Sequence, residues 1–303
     1  MKTRTRVTAI PALLAAGATM ALPTATFARQ EATPAAAANP YADLGLPELT
    51  LDFTMEAISG MPDSVEAGRY LLTINGEPPM EAWAFGAMFL RLPDGMTFED
   101  AMAEAMANPE TQPPFYFDSH LAGGPTIMAG SGKTTAYGVI DLPPGEWFVA
   151  GGALMQPPIP FTVTGEMPAE LPEPASDVTI TLGEMKIEVI EGELKAGNNL
   201  VRIDNIGAQI HQIEVEKLPE DTTEETVLAT FEWEKSGTPV ADMLDFEQIE
   251  WVAFSMDQSG GTSMWMELEL DPGRHGIFCF LPDVETGMPH AYMGMWVLVD
   301  VGE

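Results

Sequence analysis

The chain is poor in three things that much protein chemistry relies on: it has one cysteine, four histidines and 13 lysines plus arginines among 303 residues. A single cysteine excludes an intrachain disulfide framework. Four histidines limit how many imidazole-rich metal centres one chain can build. Against 46 acidic residues the formal net charge is −33. Nucleic acid and anionic membranes are bound by clustered Lys and Arg, so this balance argues against both. A protein partner of such a surface would be basic. Long apolar runs are missing too: after the first thirty residues no segment is long and apolar enough to span a bilayer. Core material is not lacking. Hydrophobic residues make up 46%, and the length allows two or three domains.

Lys2, Arg4 and Arg6 precede a short, Pro-broken apolar stretch over 7–22, then small residues up to Ala28. This is the pattern of a secretory signal rather than an anchor. No cysteine follows it to carry a lipid. The expectation is an exported protein (extracellular, cell-surface or periplasmic) with residues 1–28 removed and no transmembrane segment in the mature chain. Residues 29–48, rich in Ala and Pro, read as a flexible leader.

The rest repeats itself once. AGRYLLTIN (67–75) parallels AGNNLVRID (196–204). FLRLPDGMTFED (89–100) parallels VEKLPEDTTEET (near 215–226). MAGSGKTTAYGVIDLPPGEW (128–147) parallels MDQSGGTSMWMELELDPGRH (256–275). Three blocks in one order imply two copies of one unit, 49–165 and 178–303, joined by a Pro- and acid-rich linker, 166–177. Each copy alternates apolar and polar residues in short runs, the mark of half-buried strands. In the second copy these are 178–181, 185–190, 199–204, 210–218, 263–270, 274–281 and 295–301. A helix follows the fourth, capped by Asp221 or Thr223. Its counterpart runs from Thr97 to Ala107, with Thr97 and Asp100 as a capping box. The fold class expected is all-β: two tandem Greek-key β-sandwiches, each with a short helical insertion.

The second copy contains His211, Cys279, His290 and Met295. His211 lies on a strand face shared with Ile213 and Val215. Cys279 ends a strand, and His290 and Met295 flank the start of the last one. Two imidazoles, a thiolate and a weak axial thioether make the trigonal copper arrangement used for electron transfer. Here the sequence resembles the cupredoxin, or blue copper, family, through DNIGAQIHQIEV (204–215), LELDPGRHGIFCF (268–280) and PHAYMGMWVLV (289–299). The resemblance covers about 120 residues. It implies one copper per chain, held by His211, Cys279, His290 and Met295, with Met295 axial and Met293 as the competing axial candidate. One departure stands out: ten residues separate Cys279 from His290, where family members have two to four. The spacer also brings Asp283 and Glu285 near the ligands.

By the repeat, Phe85 falls over His211 and Gly151 over Cys279, so the first copy reads as a cupredoxin-like unit without metal. His120 reads as structural or surface, and His275 as an exposed strand residue. GSGKTT (130–135) lacks the leading glycine of a phosphate loop and reads as a turn. No nucleophile–His–acid set is legible, and four histidines cannot form an in-chain trinuclear copper centre. Most of the 20 methionines read as core filler. The functional expectation is single-electron transfer to a basic redox partner, with no enzymatic activity. Two other readings use the same chain: a copper carrier or scavenger drawing on Met293 as well, and a metal-free cell-surface interaction module.

Overall fold

The computed structural model describes residues 38–107, 112–151, 156–238 and 240–302. The expected signal and most of the leader lie outside the described residues. The first half comprises β1 (Glu48–Phe53), β2 (Ile58–Ser59), β3 (Ser64–Glu66), β4 (Gly68–Asn75), β5 (Ala84–Arg91), helix α1 (Phe98–Ala107), helix α2 (Pro114–Asp118), β6 (His120–Leu121), β7 (Thr126–Met128), β8 (Thr135–Leu142), β9 (Gly145–Gly151) and β10 (Ile159–Thr164). The second comprises β11 (Val178–Gly183), β12 (Lys186–Glu191), β13 (Gly197–Asn205), β14 (Glu214–Lys217), helix α3 (Glu224–Ser236), β15 (Glu250–Phe254), β16 (Thr262–Leu270), β17 (Gly273–Phe278) and β18 (Trp296–Val301). The protein is thus mostly β, as expected, with the helices between strands.

The repeat reappears in the strand pairing. β1 runs parallel to β4 with Leu49 opposite Leu72, and β11 runs parallel to β13 with Val178 opposite Val201. β4 pairs antiparallel with β8, as β13 does with β16. β8 and β16 then pair with each other at Val139 and Trp265. One eight-stranded sheet results, in the order β12-β11-β13-β16-β8-β4-β1-β2, shared by both halves. Gly138 makes the junction possible: a Cβ there would stand 2.8 Å from the Trp265 carbonyl oxygen and 2.7 Å from Pro125. Each half adds a sheet of its own, β3-β10-β9-β5-β6 in the first and β15-β14-β17-β18 in the second. Strict alternation drives the burial. In β1 every second residue is buried, because successive side chains point to opposite faces.

The acidic linker is docked on the junction. Arg69 of the first half makes two bonds to Asp141, at 2.7 and 2.9 Å, and reaches the Pro172 carbonyl at 2.8 Å and Glu173 at 3.1 Å. Arg202 of the second half meets the other Glu173 oxygen at 2.6 Å. Both guanidinium groups lie over the buried Trp265 ring, at 4.3 and 5.4 Å.

Helix α3 starts at Thr223 with a reciprocal capping box to Thr226, a device worth about 1 kcal/mol. It lays Val227 and Phe231 on Leu218, Phe278 and Ala291, with Tyr292 and Trp296 alongside. This roof also covers an acidic side chain. Glu216, on the polar face of its strand, is buried. Burial first, then its strand neighbour Glu214 and Glu234 of α3, raise its pKa well above the ordinary carboxylate range. The strand expected over 210–218 shortens to Glu214–Lys217, and His211 forms an isolated bridge with Gln258 instead. β15 has no counterpart in the sequence reading, because its residues are half-exposed or exposed and do not alternate.

Candidate metal centre

Three chain segments converge at one end of the second half. The first is the loop from Asn205 to His211. The Asn205 side chain donates to the carbonyls of Gln209 (2.9 Å) and Gln258 (2.7 Å) and accepts from Gly207 N–H at 3.0 Å. His211 is fixed by two backbone bonds to Gln258, at 3.0 and 2.9 Å. The second segment is the end of β17, where Cys279 N–H donates to the Met295 carbonyl at 3.1 Å. The third is the ten-residue spacer. It doubles back: Asp283 N–H donates to the Met288 carbonyl (2.9 Å), and His290 N–H to the Leu281 carbonyl (2.9 Å). Ala291 N–H then reaches the Cys279 carbonyl at 2.7 Å. The extra length closes on itself as a hairpin, so His290 returns beside Cys279. Loop closure grows costlier only slowly with length, and internal pairing offsets it further.

The donor atoms face one another. His211 Nδ1 and His290 Nδ1 are 3.1 Å apart, and Cys279 Sγ lies 3.9 and 3.5 Å from them. His211 and Cys279 are completely buried, and His290 is 1% exposed. Burial, and then His290, lower the His211 pKa to about 4. Burial lowers His290 as well and raises the Cys279 thiol to about 12. Both imidazoles are therefore neutral at neutral pH, as metal ligands must be, and the thiol would give up its proton to a metal.

This donor set fits copper. Ligand bonds of about 2.0–2.3 Å at about 120° would place donors about 3.5–3.7 Å apart, and the three distances bracket that range. A thiolate with two imidazoles is also the donor chemistry of a trigonal copper centre. Among the described residues this is the one group of His, Cys or acidic side chains close enough to hold a metal ion.

Met295 is fully buried and packs in the same core as Cys279, Ile210 and Ile213. Met293 is 38% exposed and lies 3.9 Å from the Thr286 hydroxyl. Asp283 is engaged elsewhere: one oxygen accepts from Thr286 Oγ1 (2.7 Å) and the other from Gln209 Nε2 (3.0 Å). Those bonds hold its pKa down to about 2. Glu285 is exposed. His120 packs edge-on against Trp147 at 5.7 Å, in the first half. The expectation for His275 is corrected: it is fully buried. Its parity on β17 is that of Ile277 and Cys279, so it points inward. Four residues of extended chain, about 13 Å, separate it from Cys279. Phe85 is buried in β5, and Gly151 ends β9.

Sequence reasoning missed the groups around the ligands. Gln209 Oε1 lies 3.3 Å from His290 Nε2. Glu184 Oε1 lies 4.0 Å from His211 Nε2. Gln209 sits inside the motif that carries His211, so its proximity could have been noted. Glu184 lies on another hairpin and left no signal. The first half also reaches the site. Tyr116 of α2 hydrogen-bonds through its hydroxyl to the buried Asp257 carboxylate, next to Gln258. Ser259 Oγ donates to the Ser119 carbonyl at 3.1 Å, and Met256 N–H to Gly124 at 2.9 Å. One segment, 255–259, therefore bonds to both the His211–Ile213 segment and the first half.

No protein-family model matches the chain, and no curated protein does. Solved structures do. Na-dithionite-reduced auracyanin of Roseiflexus castenholzii is 21% identical with a TM-score of 0.28, over 41% of this chain and 95% of its own. That likeness lies over the C-terminal part. A multicopper oxidase of Campylobacter jejuni is 10% identical with a TM-score of 0.25, over 89% of this chain and 66% of its own. Copper nitrite reductase of Nitrosomonas europaea is 10% identical with a TM-score of 0.23, over 84% of this chain and 94% of its own. The expectation of a chain without enzymatic activity is corrected by these neighbours, since the structures that cover most of it include enzymes. The physical reason is that counting histidines bounds the ligands of one chain, not those of an assembly.

Proposed function

We propose that this protein binds one copper ion through His211, Cys279 and His290, with Met295 as the weak axial ligand, and uses it to pass single electrons. The observation that carries the reading is the convergence of two imidazole Nδ1 atoms and one thiol sulfur, all buried, within 4.8 Å of one another. Bound copper would supply a one-electron couple between Cu(I) and Cu(II). The chain's own residues do the rest. His211 and His290 present neutral imidazoles, and Cys279 offers a thiol that ionises on metal binding. The Gln258 bridge, the β17–β18 pairing and the spacer hairpin hold these groups in place. A fixed, buried ligand shell would keep rearrangement small when the charge changes.

The same burial favours a retained metal over a delivered one, because release of a cargo ion would require opening the hairpin over His290. Export and a basic redox partner belong to this reading. The N-terminal pattern of residues 1–28 supports the first, and the net charge of −33 supports the second.

The test is to load the chain from Arg29 onward with Cu(II), remove the excess, and measure metal content with a visible spectrum. One copper per chain with an intense thiolate-to-copper band, lost in Cys279→Ser, is the expected result. No retained copper in either oxidation state overturns the reading.

A further inference from the structure

The rear nitrogen of His211 is buried without a hydrogen-bond partner. It faces Oε1 of Glu184 at 4.0 Å. Glu184 sits in the turn between β11 and β12, beside Met185 at φ 54°, a left-handed conformation uncommon for such a side chain. The same Oε1 accepts the backbone N–H of Ala208, and that of Gln209 at 2.9 Å. The carboxylate is therefore anchored to the loop that leads into His211.

Gly207 lies between the two groups. A Cβ there would stand 2.7 Å from Glu184 Oε1, 3.0 Å from Oε2 and 3.0 Å from His211 Nε2. The missing side chain is what lets carboxylate and imidazole face each other. The loop also carries the influence further, since Gln209, whose N–H Glu184 accepts, contacts His290 Nε2 through its own Oε1.

We propose that Glu184 is a positioning residue for the metal centre: its carboxylate, 4.0 Å behind His211 Nε2, attracts the imidazole proton to that nitrogen and so leaves the Nδ1 lone pair facing the metal. The proposal rests on the copper reading above. A metal-bound imidazole commonly donates its other N–H to a carboxylate or carbonyl, which sets the tautomer and raises ligand basicity. A negative group behind His211 would also stabilise Cu(II) relative to Cu(I).

Glu184→Gln keeps an oxygen for the loop N–H groups but removes the charge. Glu184→Ala removes both, and Gly207→Ala wedges the pair apart. In the apo protein, nitrogen NMR of the imidazoles reads the tautomer with no metal present. The wild type should hold His211 as the Nε2–H form, and Glu184→Ala and Gly207→Ala should mix the two forms. In the loaded protein, Glu184→Gln should keep one copper while the balance between oxidation states moves about tenfold toward Cu(I), about 59 mV for one electron. Glu184→Ala should lose about 10–100-fold in Cu(II) affinity. If Glu184→Ala does not fold, Glu184→Gln still decides, because a purely structural role would leave its potential at the wild-type value. An unchanged potential in Glu184→Gln overturns the proposal. A tautomer that responds to Glu184→Ala in a wild type that takes up no copper upholds the pairing and overturns the copper reading.

Discussion

The Nδ1 atoms of His211 and His290 stand 3.1 Å apart and both face the sulfur of Cys279. The two rings are 79 positions apart in sequence, yet one hairpin and one backbone bridge bring them together. Burial is the ground for proposing Met295 rather than the exposed Met293 as the methionine that completes this set. Met295→Leu, a swap of similar volume costing under about 1.5 kcal/mol, should shift the reduction potential and the electron paramagnetic resonance spectrum of the copper form. Met293→Leu should leave both unchanged. The reverse pattern would make Met293 the axial ligand.

Asp283 holds the spacer hairpin through the Thr286 hydroxyl, two backbone N–H groups and Gln209. Asp283→Ala should lower stability by about 1–2 kcal/mol, read by denaturant unfolding of the apo protein. It should also speed loss of bound copper to a chelator. A stability loss with unchanged metal loss would mean that the hairpin does not guard His290.

Arg69 joins the first half to the linker through Asp141 and Glu173 and to the second half through the Trp265 ring. Arg69→Ala leaves Asp141 without its cation and removes one of the two guanidinium groups over Trp265, and should cost about 2–3 kcal/mol. Arg69→Lys should recover little, because an ammonium cannot reproduce the two-pronged contact or the stacking. Chemical denaturation checks both. Full recovery by lysine would show that charge alone matters there.

Stability should fall on both sides of a maximum. Burial, and then Arg91, lower the His120 pKa to about 4 in the folded chain. The unfolded chain therefore binds more protons below about 6.5. This contribution is present above that value and is lost as pH falls toward 4, by about 1–3 kcal/mol. Glu214 and Glu216 act in the opposite sense. Burial raises both above the ordinary carboxylate value. The folded state then holds more protons, and stability drains away as pH rises from about 4.3 through neutrality. His120→Gln should flatten the acid limb of the apparent melting temperature, and Glu216→Gln the alkaline one. Parallel profiles for wild type and variants would refute the assignment.

Much of this was legible in the chain itself. The strand alternation and the capping threonines rest on spacings of two to four residues, which short-range geometry turns directly into strands and caps, and the repeat rests on like residues recurring in the same order in both halves. His211, Cys279 and His290 were legible because side-chain chemistry limits what a thiol and two imidazoles in that order can do. His275 departs from the expectation because its parity on β17 is that of Cys279, so it is buried. The burial of Glu216 leaves no mark within its strand, because it is α3 that roofs it.

The sequence by itself determined the β character and the soft donor set, which are properties of residues close together or of residue type, and the duplicated units, which show as like blocks in the same order. Only the tertiary structure decided that the two halves share one sheet, that the long spacer folds back to close the site, and that Glu184 stands behind His211. Those are contacts between segments far apart along the chain. Their partners are chosen by packing and by the need to satisfy buried polar groups, and neither leaves a local mark in the sequence.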